Sequence, residues 1–273
     1  MNAVEKLQAV SKKNNSLVCV GLDIDPAKIP KHLLLEKNPH LQFNKEIIEA
    51  TQDLVCAYKP NMAFYESLGT EGMILLEKTI KLIPKDILII LDGKRNDIGN
   101  TANHYAKSLF ETLNTDAVTI NPYLGADSIQ PFSNYTDKLS FILCRTSNPS
   151  AIDIQDYGPS DKPLYLHVAE KINEWNNHEN LGAVVGATYP EELKEIRHIL
   201  GEKTPLLIPG IGKQGGDLES TITYGVNSHG EMAVINSSRG IIYASNKEDY
   251  AQAARDATQQ LKEAINEYRP TNP

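Results

Sequence analysis

Within LDGKRNDIGNT, residues 91–101, two carboxylates and an ammonium stand close enough in sequence to share one reaction centre. The apolar run just before it, residues 87–90, reads as a buried parallel strand. Side chains two apart on a strand share a face, so Asp92 and Lys94 point the same way, and Asp97 follows within one turn. Charges clustered at the end of an apolar strand are costly unless they pair. A structural ion pair is one reading of Asp-x-Lys. The other is a charge cluster placed there for function, since perturbed charges gather at functional sites. The rest of the chain favours the second reading.

Short apolar segments alternate with helical patterns along the sequence. Strands are predicted near residues 16–22, 55–59, 87–92, 117–121, 141–145, 183–186, 205–209 and 232–236. Helices are predicted near 45–53, 66–82, 100–113, 127–135, 164–176, 190–200, 218–225 and 247–268, with an amphipathic helix at the N-terminus. Strands each followed by a helix indicate an α/β fold, a single (β/α)8 TIM barrel spanning residues 1–273 as one domain. A doubly wound open sheet is the competing architecture, because counting strands does not show closure. Two connections are long, 24–43 and 146–163, and both follow a strand, which places them on the active face of a barrel.

The bulk properties narrow the function. A 273-residue chain can bury a large core without disulfides or metals. Its net charge of −8, with no basic block, argues against a general role on nucleic acid. Cys19, Cys56 and Cys144 each lie in an apolar run, as core thiols of a reducing, cytoplasmic environment do, and they have no metal-ligand spacing. There is no secretory apolar region and no run of membrane-spanning length. The histidines (32, 40, 104, 167, 178, 198 and 229) show no paired zinc spacing, and His104 reads as a helix-surface residue.

A second site signal lies late in the chain. After the seventh strand comes IPGIGKQGGD, where Gly210, Gly212, Gly215 and Gly216 would let backbone N–H groups approach a ligand. A helix beginning near Leu218 would offer its N-terminus to an anion. After the eighth strand, NSSRGI supplies Arg239, a planar and permanently charged fork for phosphate. Loops after strands seven and eight are where barrel enzymes often hold phosphate. Asp23, Lys59, Asn121 and Arg145 to Ser147 end other strands and would converge on the same mouth. No Walker loop and no dinucleotide fingerprint accompanies them.

Taken together, these segments resemble the orotidine 5′-phosphate decarboxylase family, in its longer bacterial branch. The likeness runs from VGLDIDP to NSSRGIIYA and is most specific in D-x-K-x-x-D-I-x-x-T at 92–101 and PGIGKQGGD at 209–217; YKPNMAFYE and CRTSNPSA mark the longer branch. The resemblance implies conversion of orotidine 5′-monophosphate to uridine 5′-monophosphate and CO2, without a metal or organic cofactor. It implies that Lys94 protonates C6 of the pyrimidine, that Asp92 faces the substrate carboxylate, and that Lys59 and Asp97 complete the charged array. It further implies a homodimer in which Asp97, Ile98 and Thr101 reach the neighbouring site. Asp23 would contact the ribose, with Lys59 near it, and Ser147 would read the pyrimidine amide. Gln214 and Arg239 would hold the phosphate, with Pro209 and Gly240 beside them. Ser238 departs from the glycine that often precedes the phosphate arginine in this family.

Three other readings compete. A related sugar-phosphate decarboxylase shares the Asp-x-Lys-x-x-Asp signature but uses a divalent metal; Ser147 and Gln214 argue against it. A Schiff-base aldolase would want a desolvated lysine of lowered pKa, not one flanked by two aspartates. A catalytically silent nucleotide-binding barrel is at odds with all four charged positions being present.

Overall fold

The computed structural model describes residues 1–159, 162–211 and 217–270. Helix α1 (Ala3–Asn14) is set by a capping box between Asn2 and Glu5, and ends at Asn15 in a left-handed conformation. Its Leu7 and Val10 are buried, and Lys6 pairs with Asp116, the residue before the fourth strand, at 2.7 Å. This helix therefore closes the N-terminal end of the sheet.

The chain then alternates strand and helix: β1 (Val18–Gly21), α2 (Pro39–Thr51), β2 (Ala57–Lys59), α3 (Met62–Glu66), α4 (Gly69–Leu82), β3 (Leu88–Arg95), α5 (Gly99–Lys107), β4 (Ala117–Ile120), α6 (Ala126–Ser133) and β5 (Leu139–Arg145). It continues through α7 (Ile152–Gln155), α8 (Leu164–Trp175), β6 (Leu181–Val185), α9 (Pro190–Leu200), β7 (Leu206–Pro209), α10 (Leu218–Gly225), β8 (Ala233–Ser237), α11 (Arg239–Ile242) and α12 (Tyr250–Tyr268). All eight strands pair in parallel with their sequence neighbours, and β8 pairs with β1. The sheet is a closed (β/α)8 barrel, and the open sheet is excluded. Strands β1, β2, β4, β6 and β8 are buried at every residue, as expected of strands covered on both faces.

The expected boundaries shift where local chemistry competes with the ladder. The first strand starts at Val18 because the Ser16 hydroxyl accepts the Val18 N–H in place of a strand partner. The helix expected over 66–82 breaks into α3 and α4, with Gly69 at φ +63. Helix α5 ends at Lys107 and passes into a wider π turn, Ser108–Thr112. The last helix begins at Tyr250 because Ser245 accepts the Lys247 N–H and bonds to Asp249, holding a turn ahead of it.

The 24–43 connection is shorter as a loop than its sequence suggested. It carries two 3-10 turns, Pro26–Lys28 and Lys31–Leu35, and α2 already begins at Pro39, a residue suited to a first helical position. The 146–163 connection likewise holds a 3-10 turn, Pro149–Ala151, and the short α7.

Candidate active site

Lys59 ends β2 inside the barrel, and Asp92 stands next to it on β3. Both are buried, at 4% and 6% exposure. The Lys59 ammonium lies 2.7 Å from Asp92 Oδ2, and the Lys94 ammonium lies 2.7 Å from Asp92 Oδ1. One carboxylate thus bridges two ammonium groups, one buried and one about half-exposed at the mouth.

Burial would push the Asp92 carboxyl up, but the two lysines outweigh it and hold it well below the usual carboxylate range. Burial would likewise push the Lys59 ammonium down, but Asp92 and Asp23 outweigh it and raise it above its ordinary value. Asp92 and Lys59 are therefore both charged at neutral pH, and Lys94 faces the open side.

A residue that the sequence reading passed over completes this cluster. Thr119, on β4 and 1% exposed, donates its hydroxyl to Asp92 Oδ1 at 2.8 Å and accepts the Lys94 N–H at 3.0 Å. Its only sequence signal was a hydroxyl inside the apolar run AVTI.

Asp97 does not join the array within one chain: its Oδ1 accepts the Ile98 N–H at 2.8 Å. Ile98 is 54% exposed, and Thr101, on α5, is exposed as well. These three residues line an outward-facing segment and not the chain's own cluster.

Asp23 follows β1. Tyr65 donates to the Leu22 carbonyl at 2.9 Å, while the Tyr243 hydroxyl donates to the Asp23 carbonyl and accepts the Asp25 N–H. Two tyrosines from distant elements therefore fix the loop, and neither was singled out from sequence. The Asp23 Oδ1 is buried without a hydrogen-bond partner among the described residues, a free acceptor.

Ser147 is exposed just beyond β5. It packs on Gly186, at the end of β6, where an added Cβ would lie 2.9 Å from the Ser147 Cβ. Gly210, at φ +103, adjoins its hydroxyl on the other side. The Ser147 side chain is thus flanked by the ends of two further strands.

Arg145 does not belong to the mouth. It is 1% exposed, stacked 4.0 Å from the Tyr189 ring centroid and paired with Asp156 at 2.7 Å. It anchors the 146–163 connection, which Gln155 also clamps by bonding Thr146 at both its N–H and its hydroxyl. Asn121 turns aside too, with its Oδ1 accepting the Tyr123 N–H.

At the phosphate end, Pro209 closes β7, while Arg239 and Gly240 open α11, both exposed. Gln214, Gly212, Gly215 and Gly216 lie outside the described residues. At the α10 N-terminus the chain's own Asp217 is the cap, accepting the Glu219 N–H and the Ser220 hydroxyl. Ser238, the departure from the family pattern, is accommodated by Gly21. A Cβ on Gly21 would lie 2.6 Å from the Ser238 Cβ, and Ser238 donates to the Gly21 carbonyl at 3.3 Å. A Cβ on Gly240 would meet only Ser237 Oγ, at an ordinary 3.5 Å, so the backbone there does not require glycine.

Among the described residues, no cluster of three or more His, Cys, Asp and Glu side chains could hold a metal ion, and no helix is long and apolar enough to cross a membrane.

A closed barrel with a lysine–aspartate–lysine array at the C-terminal ends of its strands and an arginine after β8 has the architecture of a barrel enzyme. Residues 16–254 match the orotidine 5′-phosphate decarboxylase / HUMPS family. The chain is 49% identical over 273 residues to orotidine 5′-phosphate decarboxylase of Dehalococcoides mccartyi strain BAV1, covering 98% of this chain and 99% of the relative. It is 48% identical over 268 residues to the enzyme of that name from Herpetosiphon aurantiacus, covering 96% and 98%. The solved OMP decarboxylase of Leishmania donovani superposes with a TM-score of 0.85 at 38% identity, covering 98% of this chain and 99% of that one. The chain therefore belongs to the orotidine 5′-phosphate decarboxylase family, and its enzyme class is that of a carboxy-lyase.

Proposed function

We propose that this chain removes CO2 from orotidine 5′-monophosphate to give uridine 5′-monophosphate, the closing step of pyrimidine nucleotide synthesis, with Lys94 as the proton donor. The family match and the full-length relatives named for this reaction support the reaction class. The observation that carries the mechanism is the Lys59–Asp92–Lys94 array, with one buried carboxylate bridging two ammonium groups at 2.7 Å each.

In the proposed step the C6–carboxylate bond breaks and CO2 leaves without the electron pair. The pair stays on C6, where delocalisation is poor. The Lys94 ammonium stabilises it and then transfers a proton to C6. Asp92 repels the substrate carboxylate but not neutral CO2. Because the charges are paired before substrate arrives, little rearrangement accompanies the reaction. The free acceptor at Asp23 suits a ribose hydroxyl, and Ser147 the pyrimidine amide. Arg239 and Gln214 take the phosphate, flanked by Pro209 and Gly240.

The outward placement of Asp97, Ile98 and Thr101 supports a homodimer in which these residues of one subunit complete the site of the other. Phosphate binding is proposed to draw the 146–163 connection over the substrate, so that remote binding energy lowers the barrier. Three buried free thiols support a reducing, cytoplasmic setting.

The test follows the ultraviolet absorbance of orotidine 5′-monophosphate with purified protein in EDTA. Conversion is expected without added metal, and a Lys94→Ala variant should lose turnover far more than product binding. A folded chain that binds uridine 5′-monophosphate but converts nothing would defeat the proposal. Conversion only on adding Mg²⁺ would defeat its cofactor-free form.

A further inference from the structure

Lys94 stands where the regular ladder fails. From Leu91 to Arg95, β3 takes four steps while β4 takes two, from Val118 to Ile120. Lys94 sits inside this bulge at φ +47, a left-handed conformation disfavoured for any residue with a Cβ. Its N–H goes to the Thr119 hydroxyl at 3.0 Å and not to a strand carbonyl.

The polarity of that contact is forced. An N–H can only donate, so the hydroxyl must accept there, and its single proton is left for Asp92 Oδ1 at 2.8 Å. A β-branched side chain buried in a strand has little rotamer freedom, so the hydroxyl position is fixed by β4.

We propose that Thr119 is a positioning residue for the reacting ammonium: its one hydroxyl ties the Lys94 backbone to the Asp92 carboxylate and thereby sets where the Lys94 Nζ stands. The inference rests on the reading of Lys94 as proton donor. The Lys94 side chain is long and 47% exposed, held at its tip by Asp92 alone among the described residues. With the Thr119 hydroxyl removed, the Lys94 N–H loses its partner, the strained bulge loses its tether, and Asp92 loses one of the bonds that fix its plane. A valine would fill the same volume in AVTI and do none of this.

The experiment compares Thr119→Val and Thr119→Ser in the full chain, measuring kcat and KM for orotidine 5′-monophosphate and the affinity for uridine 5′-monophosphate. Thr119→Val is expected to lower kcat by about 10- to 100-fold, the worth of hydrogen bonds to a charged group. Its KM and product affinity should stay within about threefold, and Thr119→Ser should keep kcat within about threefold, since both hydrogen bonds survive. A valine variant with wild-type kcat overturns the proposal. So does a serine variant that loses rate as far as valine, which marks a packing role only. Should the valine variant not fold, Thr119→Ala is read in its place, and the serine result still decides. Absence of turnover in the wild-type chain would instead defeat the functional reading itself, so the two failures are distinguishable.

Discussion

Replacing Lys59 by methionine should expose how much of the fold's stability rides on the charged array. The Lys59 and Asp92 side chains are 5% and 8% exposed, so the pair is shielded from solvent and salt. Removing one partner of such a pair costs roughly 3–5 kcal/mol, chiefly because the other charge stays buried. Here Asp92 keeps Lys94 at 2.7 Å and the Thr119 hydroxyl at 2.8 Å, which places the expected loss near the lower edge, about 3 kcal/mol. For a chain of this size that corresponds to a fall in Tm of roughly 6–12 °C. Urea unfolding at pH 7 measures the loss directly, and Lys59→Met/Asp92→Asn serves as the double variant. Neutralising the carboxylate removes the stranded charge, so the double variant should lose at least about 1 kcal/mol less than the sum of the two single losses.

The pH dependence has a definite sign. Asp92 is depressed, so its contribution is present above the unfolded carboxylate value of about 3.9 and is lost as pH falls toward its folded value. Lys59 is raised, so its contribution is present below about 10.4 and is lost as pH climbs through its folded value. Removing Lys59 should bring the Asp92 carboxyl back toward its ordinary value and lessen the acid dependence between about pH 2 and 4. Additive single losses together with an unchanged acid profile would refute the coupling.

Gly21→Ala should drive a Cβ to 2.6 Å from the Ser238 Cβ and 3.3 Å from Asp23 Oδ2, costing about 1–3 kcal/mol by urea unfolding and weakening nucleotide binding; full retention of both would show that the two loops can part. Arg239→Ala should weaken uridine 5′-monophosphate while leaving uridine almost unaffected, measured by calorimetry; equal losses for the two would remove Arg239 from the phosphate. Burial pushes the Cys56 and Cys144 thiols up to about 12 and Cys19 well above its ordinary value, so the three should resist a disulfide reagent at pH 8 until the chain unfolds, and rapid native labelling would contradict the packing. Tyr243→Phe should raise KM more than it lowers kcat, because the lost hydroxyl tethers the Asp23 loop at two points, and a loss confined to kcat would point elsewhere.

The barrel was legible because each strand is an apolar run bounded by turn residues, and that pattern survives without knowledge of partners. Closure was not legible: only the β8–β1 pairing shows it, and no residue signals it alone. Asp92, Lys94 and Lys59 were legible as charges at strand ends, where burial makes an unpaired charge too costly to be accidental. Arg145 carried the same signal and meant something else, because sequence does not show that Tyr189 and Asp156 fold back over it. The α10 N-terminus is ambiguous from sequence for a related reason. A helix start attracts anions whether they come from a ligand or from the chain, and here Asp217 is one that the chain itself supplies. Thr119, Gly186 and Tyr243 escaped because their contributions are relational: a hydroxyl, a missing Cβ and a phenol matter only through what lies across the barrel.

The same relational character explains how the site can be held although the lysine proposed to react has a long, half-exposed side chain. Lys94 is half-exposed, on the one stretch of β3 that departs from the ladder, and a lysine there would ordinarily sample many rotamers. Asp92 holds its ammonium, Thr119 holds its backbone, and Lys59 holds Asp92 from the buried side. Asp92 Oδ2 takes Lys59 while Oδ1 accepts both the Lys94 ammonium and the Thr119 hydroxyl, and no proton is shared between two acceptors. A bulge in the sheet supplies the reach toward the mouth, and the neighbouring strands supply the constraint. Preorganisation in this chain is thus a property of β2, β3 and β4 acting together, and it requires the parallel register that sets Leu91 against Val118 and brings Thr119 alongside Asp92.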